Sequence, residues 1–294
     1  MQRATRVPIS GVHSPVYHVN DTSSTLDLAA ALLADTTTPT PHLTTIIADR
    51  QSAGRGRLGR TWTTPDGQAL LASTIVSLPT SFPPEMLGWL VHACALSVRD
   101  ALSPRLSPLG HTVSLKWPND VLVDGARKIC GILAQLAPAS SPFTTSAILG
   151  YGINIAQDCD HLATPQATSL YVEGDTEAGA DPTSVSHTLL AHILTGLDSR
   201  IRGLVTHGNA RDCGLADEAA NALPLLGTRI ALAKPTDPNG HPAMEGVALG
   251  LSPTGSLLVA TDDGRTHDIN AGDVLATGIP LTTVHDTKEK RANN

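Results

Sequence analysis

Arg50, Arg55, Arg57 and Arg60, four of the chain's fifteen arginines, fall within eleven residues, with Gly54, Gly56 and Gly59 among them. Glycines let backbone N–H groups approach a ligand closely, and arginines beside such a loop favour phosphate or carboxylate. The spacing is neither a Walker A motif nor a Rossmann turn, since no Gly-Lys-Ser/Thr follows. The same residues would also suit a basic surface loop or an RNA contact. Trp62 closes the segment and either covers an adenine or joins the core.

Three further motifs carry polar groups on strand-like sequence. In Leu115-Lys-Trp-Pro-Asn-Asp-Val121 the Trp-Pro pair demands an extended exit, which presents Asn119 and Asp120 at a strand end. The alternative is a plain Pro-Asn-Asp turn. In Arg127-Lys-Ile-Cys-Gly-Ile-Leu133, Lys128 opens an apolar run and either snorkels at the strand mouth or aims at an anion. Gly131 within that run marks close approach of another group to the backbone. In Gly150-Tyr-Gly-Ile-Asn154 two glycines on a strand admit a flat ligand or mark a bulge. The twelve histidines form neither HxxxH nor HExxH, and no GxSxG elbow occurs. The sequence therefore assigns no metal ligands and disfavours a serine hydrolase.

Positioning these motifs requires a mixed set of elements. Ser24 precedes Thr25 and Asp27 as a helix N-cap would, and Leu26, Ala29, Ala30 and Leu33 form one apolar face. Strands are expected over 43–48, 70–78, 113–117, 121–123, 128–136 and 147–155. The spacing predicts a long helix over 85–102 and a second one capped by Asp181, with Pro182 at its first position. The buried face of the second would hold Val185, Leu189, Ile193, Leu197, Ile201 and Leu204. Residues 173–180 read as a polar insertion. After about residue 222, five short apolar runs alternate with Gly/Pro/Asp turns, the pattern of a small five-stranded barrel.

This reading gives an α+β chain with a flexible tail at 1–17, a mixed-sheet domain at 18–222, a small barrel at 223–280 and a polar tail at 281–294. With 41% hydrophobic residues a sizeable core is available, and with 3% aromatics it must be aliphatic. The net charge of −7 argues against a surface wholly given to nucleic acid. Four scattered cysteines without a CxxC pair suit a reducing, cytoplasmic setting. Neither a secretory signal nor a run of apolar residues long enough to span a membrane is present.

Taken in order, Ser24-Thr25, GRGRLGR (54–60) with Trp62, KWPND (116–120), RKICGIL (127–133) and GYGIN (150–154) resemble the catalytic domain of biotin protein ligases. The resemblance covers about residues 18–210. The segment after 222 is similar to that family's SH3-like C-terminal domain, with Gly246, Gly250, Gly255 and Ala271-Gly-Asp273 at matching places. The resemblance implies an ATP-dependent ligase that makes biotinyl-5′-AMP and transfers biotin to a lysine of a biotin carboxyl carrier protein. Mg²⁺ would accompany ATP. Lys128, Arg57 and Asp120 become the catalytic candidates, Lys128 bridging the biotin carboxylate and the α-phosphate. Ser24, Thr25, Leu26, Gln51, Gly54, Arg55, Gly56, Arg57, Gly131 and Leu133 join Lys128 around biotin. Trp62, Asn119, Ile153 and Asn154, with Arg57 and Lys128, surround the nucleotide.

Two departures stand out. Leu26 occupies a position where many members have Asn. The few residues before the catalytic segment leave no room for a helix-turn-helix, so the ligase-only class without sequence-specific DNA binding is expected. A lipoate ligase on the same fold would show an RRxxGGG-type motif, which this chain lacks. A nucleic-acid-binding module would explain the arginine loop but not the KWPND and GYGIN strands.

Overall fold

The structure, a computed structural model, describes residues 4–35, 37–137, 144–233 and 242–279. The last polar stretch, 281–294, lies outside them. One eight-stranded sheet organises the larger part. Its strands are β1 (Thr5–Arg6), β2 (Val16–Thr22), β3 (Thr45–Gln51), β4 (Ala69–Pro79), β5 (Val113–Lys116), β6 (Asp120–Val123), β7 (Arg127–Ala137) and β8 (Thr144–Asn154). They lie in the order β1-β2-β3-β4-β8-β7-β6-β5. Only β2 and β3 run parallel, so the sheet is mixed. The long central pair β4 and β8 is buried on both faces, which is why it reads as nearly continuous apolar sequence.

Helices cover both faces. Helix α1 (Thr25–Ala34) packs on β3, β4 and β8 through Leu26, Ala29 and Leu32. Its cap is as the sequence implied, with Ser24 Oγ accepting from the Leu26 N–H at 3.3 Å. Its apolar face centres on Leu32, and Leu33 is only half-buried. On the other face lie α2 (Leu87–Leu106) and α4 (Pro182–His207), with a short α3 (Thr176–Ala180) before α4 and α5 (Leu215–Ala222) after it. All six expected positions of α4 are buried. Full burial of each such aliphatic side chain is worth roughly 1.5–3 kcal/mol.

Two expectations are corrected. Residues 1–17 are not a loose tail throughout: Thr5 and Arg6 pair with β2, while Ile9 and Val16 are buried in the main core. Residues 173–180 are not simply a polar insertion. Glu173 and Asp175 are buried carboxylates, paired with Arg127 and Arg105, and Asp175 caps α3.

The smaller part is an antiparallel sheet of five strands, β9 (Arg229–Ala233), β10 (Pro242–Leu251), β11 (Leu257–Ala260), β12 (Thr266–Ile269) and β13 (Asp273–Ile279). Their order is β12-β11-β10-β9-β13, which fits a small SH3-like domain. Its β10–β11 turn rests on α2. Trp89 donates to the Pro253 carbonyl at 2.7 Å, and His92 Nε2 lies 2.9 Å from the Gly255 carbonyl oxygen. Gly88 permits the contact, since a Cβ there would lie 2.8 Å from the Thr254 carbonyl oxygen.

Candidate active site

The arginine loop joins β3 to β4 and folds back on itself. The Gly56 N–H donates to the Arg60 carbonyl at 2.7 Å, and the Trp62 N–H to the Gly54 carbonyl at 2.8 Å. Each arginine finds a carboxylate. Arg50 lies 4.0 Å from Asp21 and 3.8 Å from Asp66. Arg55 pairs with Asp27 at the start of α1, and Arg60 with Asp273 at the start of β13. Arg57 is the most enclosed of the four. It donates to Asn119 Oδ1 at 3.2 Å and to the Gly272 carbonyl at 3.1 Å, and its guanidinium lies 3.5 Å from Asp273. Burial holds the Arg57 pKa below its ordinary value, against the pull of Asp273 and Asp120.

Lys128 sits near the start of β7, where its ammonium is 2.6 Å from Asp120 Oδ1 on the neighbouring β6. The same ammonium lies 5.7 Å from the centre of the Trp62 ring, a cation–π distance. Trp62 rests on the glycines of β7 and β8, which face each other in register as Gly131 and Gly152. A Cβ at Gly152 would lie 2.6 Å from the indole, and one at Gly131 3.1 Å from it. Leu26 covers Gly150 in the same way, at 2.8 Å. The flat group against the GYGIN strand is thus the protein's own indole.

These residues enclose a cavity of about 310 Å³. One end is polar, and the Arg55 side chain that lines it is paired with Asp27. There Gln51 Oε1 accepts from the Thr25 N–H at 2.8 Å and from its hydroxyl at 3.0 Å, and Ser73 donates to Thr25 at 2.8 Å. The other end holds Arg57, Asn119, Asp120 and Lys128. Gly131 and Leu133 of β7 lie between. The wall beyond Lys128 comes from residues 157–167.

Most sequence-derived candidates converge here, with two exceptions. Ile153 is fully buried in the core on the opposite face of β8, because alternate residues of a strand point to opposite sides. Gly54 does not line the cavity; its carbonyl secures the loop. Asn154 lines the cavity, but its amide already donates to the Thr168 carbonyl at 2.9 Å and accepts from Gln157 at 3.1 Å. Asp273, Tyr151, Gln157 and the 161–164 segment were not anticipated. Asp273 had a visible signal, an Ala-Gly-Asp turn opening the last strand. The cavity's carboxylates among the described residues, Asp120 and Asp273, are both paired with cations. Each would have to share that pairing to ligate a divalent ion.

Residues 20–154 match the model of the Biotin/lipoate A/B protein ligase family, and residues 236–275 that of the Biotin protein ligase C terminal domain. The biotin–[acetyl-CoA-carboxylase] ligase of Mycobacterium tuberculosis is 34% identical over 230 residues, which cover 78% of this chain and 77% of that protein. The chain belongs to the biotin protein ligase family. The corresponding ligase of Paracoccus denitrificans is 31% identical over 224 residues, covering 75% of this chain and 85% of its own. Among solved structures, the Aquifex aeolicus biotin protein ligase in complex with biotin and ATP aligns with a TM-score of 0.62 at 25% identity, over 90% of this chain and 98% of that one. This ligase therefore carries the family's two parts, and its loop arginines reach from the first to the second.

Proposed function

We propose that this biotin ligase condenses biotin with ATP to biotinyl-5′-AMP and pyrophosphate, then transfers the biotinyl group to a lysine of a biotin carboxyl carrier protein, releasing AMP. The observation that carries the reading is the cavity's polarity. A hydrogen-bonding end at Ser24, Thr25 and Gln51, where Arg55 is neutralised by Asp27, faces an end that carries Lys128 and Arg57. Biotin has the matching form, a neutral ureido head and a carboxylate tail. The relatives' names and their complexes with biotin, ATP and biotinyl-5′-AMP support the same assignment.

In the first step a biotin carboxylate oxygen attacks the α-phosphorus of ATP, and the bond to the β-phosphate oxygen breaks as pyrophosphate leaves. Two anions must meet, so a fixed cation between them lowers the barrier. Lys128 supplies it once its ammonium is shared with, or released from, Asp120. Arg57, braced by Asn119, faces the phosphates. Trp62 shields the reacting atoms from water, and Gly131 and Leu133 flank the acyl chain. Magnesium would accompany ATP and supply charge neutralisation of the triphosphate; Asp120 and Asp273 are the carboxylates of this end that could help to hold it once their cations turn to the ligand. In the second step a neutral lysine amine of the carrier attacks the acyl carbon. The carbon–oxygen bond to AMP breaks, and the amine loses a proton. Asp120 lies at the correct end to orient that amine.

We propose the cytoplasm as the site of the reaction, on the reading of the four scattered cysteines as reduced thiols. No helix among the described residues is long and apolar enough to cross a membrane. Mixing the protein with MgATP and biotin, without carrier, and recording mass spectra tests the first step: biotinyl-5′-AMP is expected. Streptavidin blotting of an added carrier domain tests the second. Absence of the adenylate from folded protein would remove the two-step reading.

A further inference from the structure

Beyond the cavity, a cluster of charged side chains joins two segments that meet at Lys128. Glu173, with its side chain only 5% exposed, accepts from Arg127 Nε at 2.6 Å and from its Nη2 at 2.8 Å. The same Nη2 donates to Asp124 at 2.7 Å. His111 lies 2.8 Å from Asp124 and 3.3 Å from Glu173. The ligating atoms of His111, Asp124 and Glu173 come within 4.8 Å of one another. The Arg127 guanidinium already bonds both carboxylates there, so the cluster's cation is built in. Burial pushes the Glu173 carboxyl upward, but the bonds from Arg127 and Thr168 outweigh it and hold it ionised.

The fifth member gives the cluster its reach. Thr168 Oγ1 donates to Glu173 at 2.6 Å, and the Thr168 N–H donates to the Lys128 carbonyl at 2.8 Å. The Lys128 N–H in turn donates to the Gln166 carbonyl at 2.7 Å. Residues 166–168 thus run alongside Lys128 as a short parallel bridge, and the stretch just before them walls the cavity's cationic end. Arg127 fixes the backbone on one side of that bridge and Glu173, through Thr168, on the other.

We propose that the Arg127–Glu173 pair is a positioning device for Lys128 and the 157–168 wall, and that Glu173 and Arg127 act on nucleotide use without touching substrate. The direction of the effect rests on the proposed function, because it assigns the cationic end to the triphosphate. The wall stands at that end and away from Ser24 and Gln51, so loosening it affects ATP and spares biotin.

Glu173→Gln keeps size and the Thr168 bond but removes the charge. Two readouts apply, both on the full chain. In adenylate formation the KM for MgATP should rise about tenfold, the effect of losing one charged hydrogen-bonding partner, while the KM for biotin moves less than about twofold. In the ligand-free protein, hydrogen exchange at the Lys128 and Thr168 amides should accelerate about tenfold or more, with β4 and β8 unchanged. Thr168→Val should shift both readouts in the same direction, and Thr168→Ser should match wild type. Should Glu173→Gln not fold, the threonine pair decides. Unchanged exchange at these two amides, a uniform rise along the chain, or equal rises in both KM values would overturn the proposal. The exchange readout needs no substrate, so failure of the biotin assignment leaves it standing.

Discussion

Arg57 and Asp273 form an ion pair at 3.5 Å that joins the loop after β3 to the first residue of β13. Arg60 meets the same carboxylate. The smaller sheet therefore helps to shape the cavity. Asp273→Asn should release Arg60 and loosen Arg57, which keeps its bonds to Asn119 and the Gly272 carbonyl, and should raise the KM for MgATP by about tenfold, from loss of a charged partner worth roughly 1.5–3 kcal/mol. Melting temperature should change little, because Arg60 is mostly exposed. Steady-state adenylation kinetics check this, and an unchanged KM would separate the two parts functionally.

Lys128→Ala should lower adenylate formation by about 10²–10³, the usual loss for one electrostatic contact at a reacting centre. Lys128→Arg should rescue only in part, since a planar fork does not replace a point charge. The alanine variant should also lose roughly 1–2 kcal/mol of stability, because Asp120, 19% exposed, is left without its cation. Lys116→Ala should do less, as that side chain does not line the cavity. Single-turnover assays and urea titration measure the two effects separately.

Of the three tryptophans, Trp89 and Trp117 are buried and Trp62 alone lines the cavity. Ligand-induced changes in fluorescence should therefore vanish in Trp62→Phe. Gly152→Ala should displace the indole and cost about 1–3 kcal/mol through overpacking. A Gly152→Ala protein with wild-type emission and stability would contradict the contact.

Burial holds the His92 pKa below its ordinary value of 6.5. Its contribution to stability is complete above that value and is lost as pH falls below it, since the unfolded chain then binds the extra proton. His42 is shifted the same way by burial, with Asp198 opposing. The urea midpoint should fall between about pH 8 and about pH 5.5, and His92→Gln should flatten part of that slope. Equal slopes in both proteins would exclude His92 as a source.

Local patterns carried much of the fold. The α4 stripe from Val185 to Leu204 and the Ser24 cap depend on neighbours a few residues away, and both were legible. The pairing of Thr5–Arg6 with β2 was not, because two residues carry no period. Leu32 and Leu33 cannot be ranked by periodicity alone when both are apolar. For the site, five motifs in order pointed to one cavity. Ile153 was misplaced because β8 is apolar on both faces, which hides the alternation separating it from Gly152 and Asn154. The arrival of Asp273 at the site, and of Glu173 behind Lys128, depends on sheet order and loop path, which no window of sequence contains.

The carboxylate matched to every loop arginine has a consequence for the charge this loop presents. A segment that looks polycationic on paper is locally neutralised when folded. Asp27 holds Arg55, and Asp273 holds both Arg57 and Arg60. The loop therefore meets its surroundings as a set of fixed ion pairs rather than as a bare cationic strip.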